Sequence, residues 1–319
     1  ISVNDEMISE FKHKGYLEPL EKNVMTEEVR DSFPQKYLES ICEENGHIYS
    51  VPFQMDIMMF WVNQELLKQA GLDEIKNTGD FDILQKSLKN PDQYAYGDAW
   101  ENTHVYNSLS QFVNFWGGDY FDWTDPKTKD AARYMKSMLD EKNTSPAQFV
   151  DQYEQMEEKF IRGKYGCVFM YTSALGTFLD ADVYGKNKIH MAPLPVLHKK
   201  KATNIATWQY VLNNASENKD AAVRFLQYAA GYEGSTEYAK IMKSYPARVD
   251  VIENEDIDLE GIDMIRKYLR EYTLNARPLC ENSMGAVSDM GKLFQGYVLG
   301  QCEEDSFFEQ AQNCINTYY

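Results

Sequence analysis

Two polar side chains stand at the mouth of an apolar run. In Val51-Pro52-Phe53-Gln54-Met55-Asp56-Ile57-Met58-Met59-Phe60-Trp61-Val62-Asn63, every position from Ile57 to Val62 is apolar. Such a run fits a strand covered by helices on both faces. A carboxylate entering it at Asp56, with an amide at Gln54, is costly unless something satisfies the charge. The five histidines, His13, His47, His104, His190 and His198, are far apart and form no pair at metal-ligand spacing, so no metal and no cofactor is expected. No GxGxxG, GxxxxGK[ST], GxSxG or HExxH pattern occurs. Cys167 sits inside an apolar strand pattern without an adjacent His, which suits a core residue better than a nucleophile. The pairs Glu157-Glu158 and Glu303-Glu304-Asp305 read as solvated charge on helices, and a lone Asp56 does not make a two-carboxylate hydrolase. Catalysis is not expected.

The composition narrows the partners. The 319 residues carry 32 Lys+Arg against 50 Asp+Glu, a net charge of −18, and the basic run Lys199-Lys200-Lys201 reads as a short polar loop. Nucleic acid and anionic lipid are not expected as direct partners on this balance. No 18-residue apolar span exists, so no segment is expected to cross a membrane. Five cysteines are scattered without CxxC spacing, and the odd count argues against a full disulfide framework. Twenty-two Tyr, 16 Phe and 5 Trp exceed what a core of this size needs; a Tyr-rich surface and a ring-lined groove suited to sugars are both open. The chain opens on Ile1-Ser2-Val3 without Met, as a processed or partial chain would.

Helix and strand patterns alternate, the mark of α/β layers. Helices are expected over 5–15, 35–45, 64–70, 81–88, 103–116 and 127–141, with Gly15, Gly71 and Gly117 as stops. Phe149, Tyr153, Met156 and Phe160 lie on one stripe that closes at Gly163. Strands are expected at 48–51, 165–171 and 206–212, and Ser216 is placed as the cap of a following helix. The C-terminal third reads as helical, ending on the stripe Phe307, Ala311, Ile315.

These pieces fall in a familiar order. Pro52, Asp56, the strand to Asn63 and Glu65-Leu66-Leu67-Lys68-Gln69-Ala70-Gly71-Leu72 resemble the family pattern P…D…YN-x-x-L-x-x-x-A-G-L. Phe160-Ile161-Arg162-Gly163-Lys164, Met191–Pro195, Ser216–Ala222 with Phe225-Leu226, and Tyr245-Pro246-Ala247-Arg248 match later motifs in the same register. Together they resemble the extracellular solute-binding proteins of carbohydrate ABC transporters, the maltose-binding-protein-like group, here without the family's opening β–α–β unit and lipoprotein signal.

The resemblance implies an α/β, two-lobe periplasmic-binding-protein-like fold of type II. Lobe one would be 1–54 plus 207–262, and lobe two 55–206 plus 263–319, with a ligand cleft between them. It implies an extracellular or periplasmic, lipid-anchored monomer that delivers a sugar or oligosaccharide to permease subunits. Asn4 and Asp5 match a cleft-facing position, Asp56 would accept from sugar hydroxyls, and Trp208 would stack on a sugar face. His104, Tyr106, Trp116 and Tyr171 are the candidates from lobe two. Gln209 alternates with Trp208, so only one of them should face the ligand. Arg248 is expected to pin its lobe. A polyamine would need two converging carboxylates, with Asp5 and Asp56 as the only candidates; a glycoside hydrolase, or a sensor on the same fold, are the other readings.

Overall fold

The structure is a computed structural model and describes residues 1–198 and 200–319; Lys199, in the expected basic loop, lies outside them. Among the described residues nine strands occur: β1 (Ser2–Asn4), β2 (Glu43–Glu44), β3 (His47–Ile48), β4 (Ser50–Asn63), β5 (Tyr94–Gly97), β6 (Tyr165–Tyr171), β7 (Ile189–Ala192), β8 (Ala202–Val211) and β9 (Thr273–Ala276).

The chain divides into two compact units, residues 1–57 with 205–283 and residues 58–204 with 284–319. The chain passes from one unit to the other inside β4, inside β8, and at the start of the Ser283–Val298 helix. The sequence boundaries stand at 54/55, 206/207 and 262/263. In the structure the third passage falls later, because the Ile262–Glu271 helix and β9 stay with the first unit.

In the first unit, the early part of β4 pairs antiparallel with β8, which pairs antiparallel with β1 on its other side. A bulge interrupts the β4–β8 register between Pro52 and Gln54. Val3, Ile8, Leu17 and Val211 close the core beneath β1. Asn45 and Gly46 both take positive φ, the backbone that a tight two-residue hairpin between β2 and β3 requires. That hairpin ends the expected 35–45 helix early: the helix covers Gln35–Tyr37 and gives way to a widened turn over Leu38–Cys42. Ser216 does not cap the next helix. Its hydroxyl accepts from Asn218 N at 3.3 Å, a local turn that delays the helix to Lys219–Ala230. Arg248 does pin its unit, donating to Asp250, Ser32 and the Ala230 carbonyl.

In the second unit, the later part of β4 lies between β6 and β7, and β5 pairs parallel with β6. Ile57 to Val62 is buried throughout, as an all-apolar run requires. Phe60, Phe81, Tyr96, Phe112 and Phe169 form one set of ring contacts in this core. Much of the aromatic excess therefore sits in the interior rather than in a groove. Cys167 is buried there against the Ala95 carbonyl. The Phe149 stripe is split: Pro146–Val150 forms a separate short turn opened by proline, and the helix proper covers Tyr153–Ile161. The terminal helix, Glu304–Tyr318, buries Phe307, Ala311 and Ile315 as its spacing predicts. Among the described residues no helix is long and apolar enough to cross a membrane.

Candidate functional site

β8 places its successive side chains on opposite faces of the first unit's sheet. Residues directly opposite across an antiparallel ladder share a face. Trp208 lies opposite Asn4 on β1 and opposite Gln54 on β4, so an indole is flanked on both sides by an amide. Trp208 is 43% exposed, which is unusual for so large a ring in the middle of a sheet.

Both flanking amides are half used. The Asn4 carbonyl oxygen accepts from Met7 N at 3.1 Å, capping the Asp5–His13 helix. The Gln54 carbonyl oxygen accepts from the Tyr238 hydroxyl at 2.6 Å. The NH₂ groups of Asn4 and Gln54, and the Trp208 indole N–H, donate to no other described residue. Asp56, opposite Ala206 and on the same face two residues along from Gln54, is 6% exposed and takes part in interactions of its own. One face thus carries an open ring, three hydrogen-bond donors and one carboxylate.

The other face differs in kind. Gln209 is fully buried, and all its hydrogen-bonding capacity is taken. Its NH₂ donates to Asp5 at 3.0 Å and to the Tyr37 hydroxyl at 2.8 Å, while its carbonyl accepts from Ser50 and from Cys42 at 3.2 Å. Tyr37 donates to Asp5 and meets the Thr207 hydroxyl at 2.6 Å. Asp5 also faces Arg277 at 3.5 Å. Burial raises the Asp5 carboxyl above its ordinary value, against the opposing pull of Arg277 and of the Tyr37 and Gln209 hydrogen bonds. This closed network binds the Asp5–His13 helix to the sheet.

The second unit gathers its candidates around the start of the Val105–Trp116 helix. The Tyr171 hydroxyl donates to Asn107 at 3.3 Å, and Tyr153 lies over the Tyr171 ring with centroids 6.4 Å apart. The Asn107 amide donates back to the His104 carbonyl at 3.3 Å. His104 sits against Glu101 at 3.0 Å and Thr103 at 3.1 Å and remains partly exposed. Tyr106 is buried, and Trp116 packs on Tyr134 and stacks on His198 at 5.1 Å. Beneath them Asp98 accepts from Ser108, Tyr96 and Ala99 N, tying β5 to the helix.

Sequence reasoning left out of its site Gln54, Tyr238, Asn107 and Tyr153. Gln54 had a signal, as an amide two residues before Asp56, and Asn107 follows His104 by one helical turn. Tyr238 had none, since only tertiary packing brings the Tyr232–Met242 helix over β4. Among the described residues no group of three His, Cys, Asp or Glu could hold a metal ion.

The chain is thus an α/β protein of two units with strands that run from one unit into the other, and one face of its first unit carries an open indole beside amide donors that no other described residue takes up. Residues 2–236 match the family described as bacterial extracellular solute-binding protein, and the chain belongs to that family. It is 23% identical over 248 residues to the arabinooligosaccharide-binding protein of Bacillus subtilis, covering 73% of this chain and 56% of that protein. It is 24% identical over 239 residues to a probable amino-acid ABC transporter periplasmic-binding protein of Sinorhizobium fredii, covering 71% and 54%. The chain therefore spans about half the length of the curated relatives it matches.

Among solved structures, a solute-binding protein of Thermotoga lettingae bound with α-D-tagatose superposes with a TM-score of 0.85 at 17% identity, over 99% of this chain and 84% of that one. The GacH receptor of Streptomyces glaucescens superposes with a TM-score of 0.82 at 18% identity, over 100% and 84%. At these identities the likeness establishes the fold.

Proposed function

We propose that this protein is the receptor of a bacterial carbohydrate importer. It takes a neutral sugar or oligosaccharide onto the Trp208 face of its first unit and hands it unaltered to the permease of an ABC transporter. The observation that carries this reading is the open Trp208 ring flanked by the unpaired NH₂ groups of Asn4 and Gln54. A sugar presents an apolar C–H face to a ring and hydroxyl oxygens at its rim. Those oxygens accept from the amides, and a neighbouring hydroxyl donates to Asp56.

The polarity also weighs against a polyamine. Ammonium groups are donors only and would meet donors here. Of the two carboxylates such a ligand would use, Asp5 is held on the opposite face by Tyr37 and Gln209. The same separation weighs against a glycoside hydrolase, which needs a second carboxylate about 5–10 Å from Asp56. Among similar proteins, one is an arabinooligosaccharide-binding protein and one is a solute-binding protein bound with α-D-tagatose, which agrees with a sugar. An extracellular, lipid-anchored monomer belongs to this reading.

A thermal-shift panel tests it: arabinotriose, maltotriose, tagatose, spermidine and free amino acids. Ligand at 100 times its Kd adds about 2.7 kcal/mol of stability. A sugar that raises the melting temperature and is recovered uncut supports the receptor. A response to spermidine or to amino acids alone overturns the sugar assignment.

A further inference from the structure

We propose that Tyr238 is a positioning residue that fixes the Gln54 amide with its NH₂ toward the Trp208 face, making this subsite a reader of acceptor oxygens. The inference rests on the reading that this face holds the sugar, and it names a residue that touches no ligand itself.

A glutamine amide is a two-ended group. Turned by half a revolution about its last torsion, it offers a carbonyl in place of an NH₂, and the soft torsion makes either end available. Whatever holds one end decides what the ligand meets. At Gln54 that holder is the Tyr238 hydroxyl, which donates to the carbonyl at 2.6 Å. The direction of that bond is enforced from two sides. Burial pushes the phenol up to about 12, so it keeps its proton, and the carbonyl oxygen of the amide can only accept. The phenol's single proton is therefore directed to Gln54, and the amide's NH₂ turns the other way.

The backbone agrees with the side chains. The bulge between Pro52 and Gln54 locally breaks the strict alternation, a device that re-aims side chains. It lets Phe53 stack on Tyr210 at 4.1 Å while its ring meets the edge of Tyr238 at 5.4 Å. Tyr245 and Pro246 hold the same stretch: Met55 N donates to the Tyr245 carbonyl at 2.9 Å, and Gln54 forms an antiparallel bridge with Pro246. Tyr238 is thus held by its ring, its helix and its oxygen, and Gln54 by its backbone. Gln54 and Asp56 are two residues apart on one strand, about 7 Å along it. A donor and an acceptor at that spacing suit adjacent hydroxyls of one ring, one accepting and one donating.

A double-mutant cycle tests this with two probes, arabinotriose and maltotriose, by calorimetry on wild type, Tyr238→Phe, Gln54→Ala and the double variant. Tyr238→Phe keeps the ring packing and removes only the hydroxyl; circular dichroism and melting check the fold. The expected result is an affinity about five-fold weaker for Tyr238→Phe in the wild-type background, with less than a two-fold change when Gln54 is already Ala. Equal loss in both backgrounds, or no loss where wild type binds, overturns the role of Tyr238 and leaves the sugar reading standing. If wild type binds neither probe, the sugar reading fails at this face. The side-chain NH₂ resonances of Gln54, assigned by their absence in Gln54→Ala, then decide the positioning claim. They shift in Tyr238→Phe if the phenol holds the amide, and an unmoved pair overturns it.

Discussion

Trp208 and Gln209 are neighbours on β8, and their surroundings are opposite in kind. Gln209 is buried with each end of its amide engaged, inside a network of Asp5, Tyr37, Ser50 and Cys42. Trp208 is open, and the amides beside it each keep an NH₂ without a partner. Polar residues alone do not mark a binding site. A saturated network is a fastening, because any ligand would have to displace bonds already made. An unsaturated set beside an exposed ring is a receptor surface, because its bonds are still to be made. One strand carries both, one on each face.

Substitutions on the two faces should separate stability from affinity. The largest effect is expected for Asp5→Ala, which strands Tyr37 and Gln209 in the interior. The unfolding free energy should fall by about 3 kcal/mol, measured by denaturant titration, with residual sugar affinity unchanged in the folded fraction. Next comes Trp208→Ala: affinity for the bound sugar should drop roughly thirty-fold, with a melting temperature close to wild type. If Trp208→Ala instead melts early, the contrast between the two faces is lost.

Asn4 serves both sides of the comparison, since its oxygen caps a helix and its NH₂ donates to no other described residue. Asn4→Asp keeps the cap and removes the donor, so affinity should fall several-fold while stability holds; Asn4→Ala should cost both, about 1 kcal/mol of stability from the cap.

The smallest effect is in pH. Burial raises the Asp5 carboxyl above its ordinary 3.8, so the folded protein holds that proton more tightly than the unfolded chain does. The stabilisation this gives is complete below pH 3.8 and is lost as pH rises through the raised value. The melting temperature of wild type minus that of Asp5→Asn should therefore decrease as pH rises above about 4. A difference that grows with pH would place the carboxyl below its ordinary value, with Arg277 dominant.

The alternation of Trp208 and Gln209 was legible from the sequence because a strand has period two and nothing else is needed to know that they part. So were the buried run from Ile57 to Val62, the helix stops at Gly15, Gly71 and Gly117, and the stripe of the last helix, all of which depend on local pattern. Which of the two β8 side chains faces outward was not legible, because it depends on Asp5 and Tyr37 arriving from elsewhere in the chain. Tyr238 was hidden for the same reason. The 35–45 helix failed where a hairpin signal at Asn45-Gly46 competed with it and won. Much of the aromatic content could not be sorted into core or surface by composition, and the packing of Phe60, Phe81, Phe112 and Phe169 sends it to the core.

The distribution of tryptophan offers the most direct test of the claim that the Trp208 face receives the ligand. Trp61, Trp100 and Trp123 are fully buried and Trp116 is 9% exposed, against 43% for Trp208. Acrylamide quenching of tryptophan emission therefore reports mainly on Trp208. A sugar that raises the melting temperature should lower the quenching constant, and the protection should vanish in Trp208→Ala. A sugar that stabilises the protein while quenching stays unchanged would place the binding site elsewhere and contradict the account.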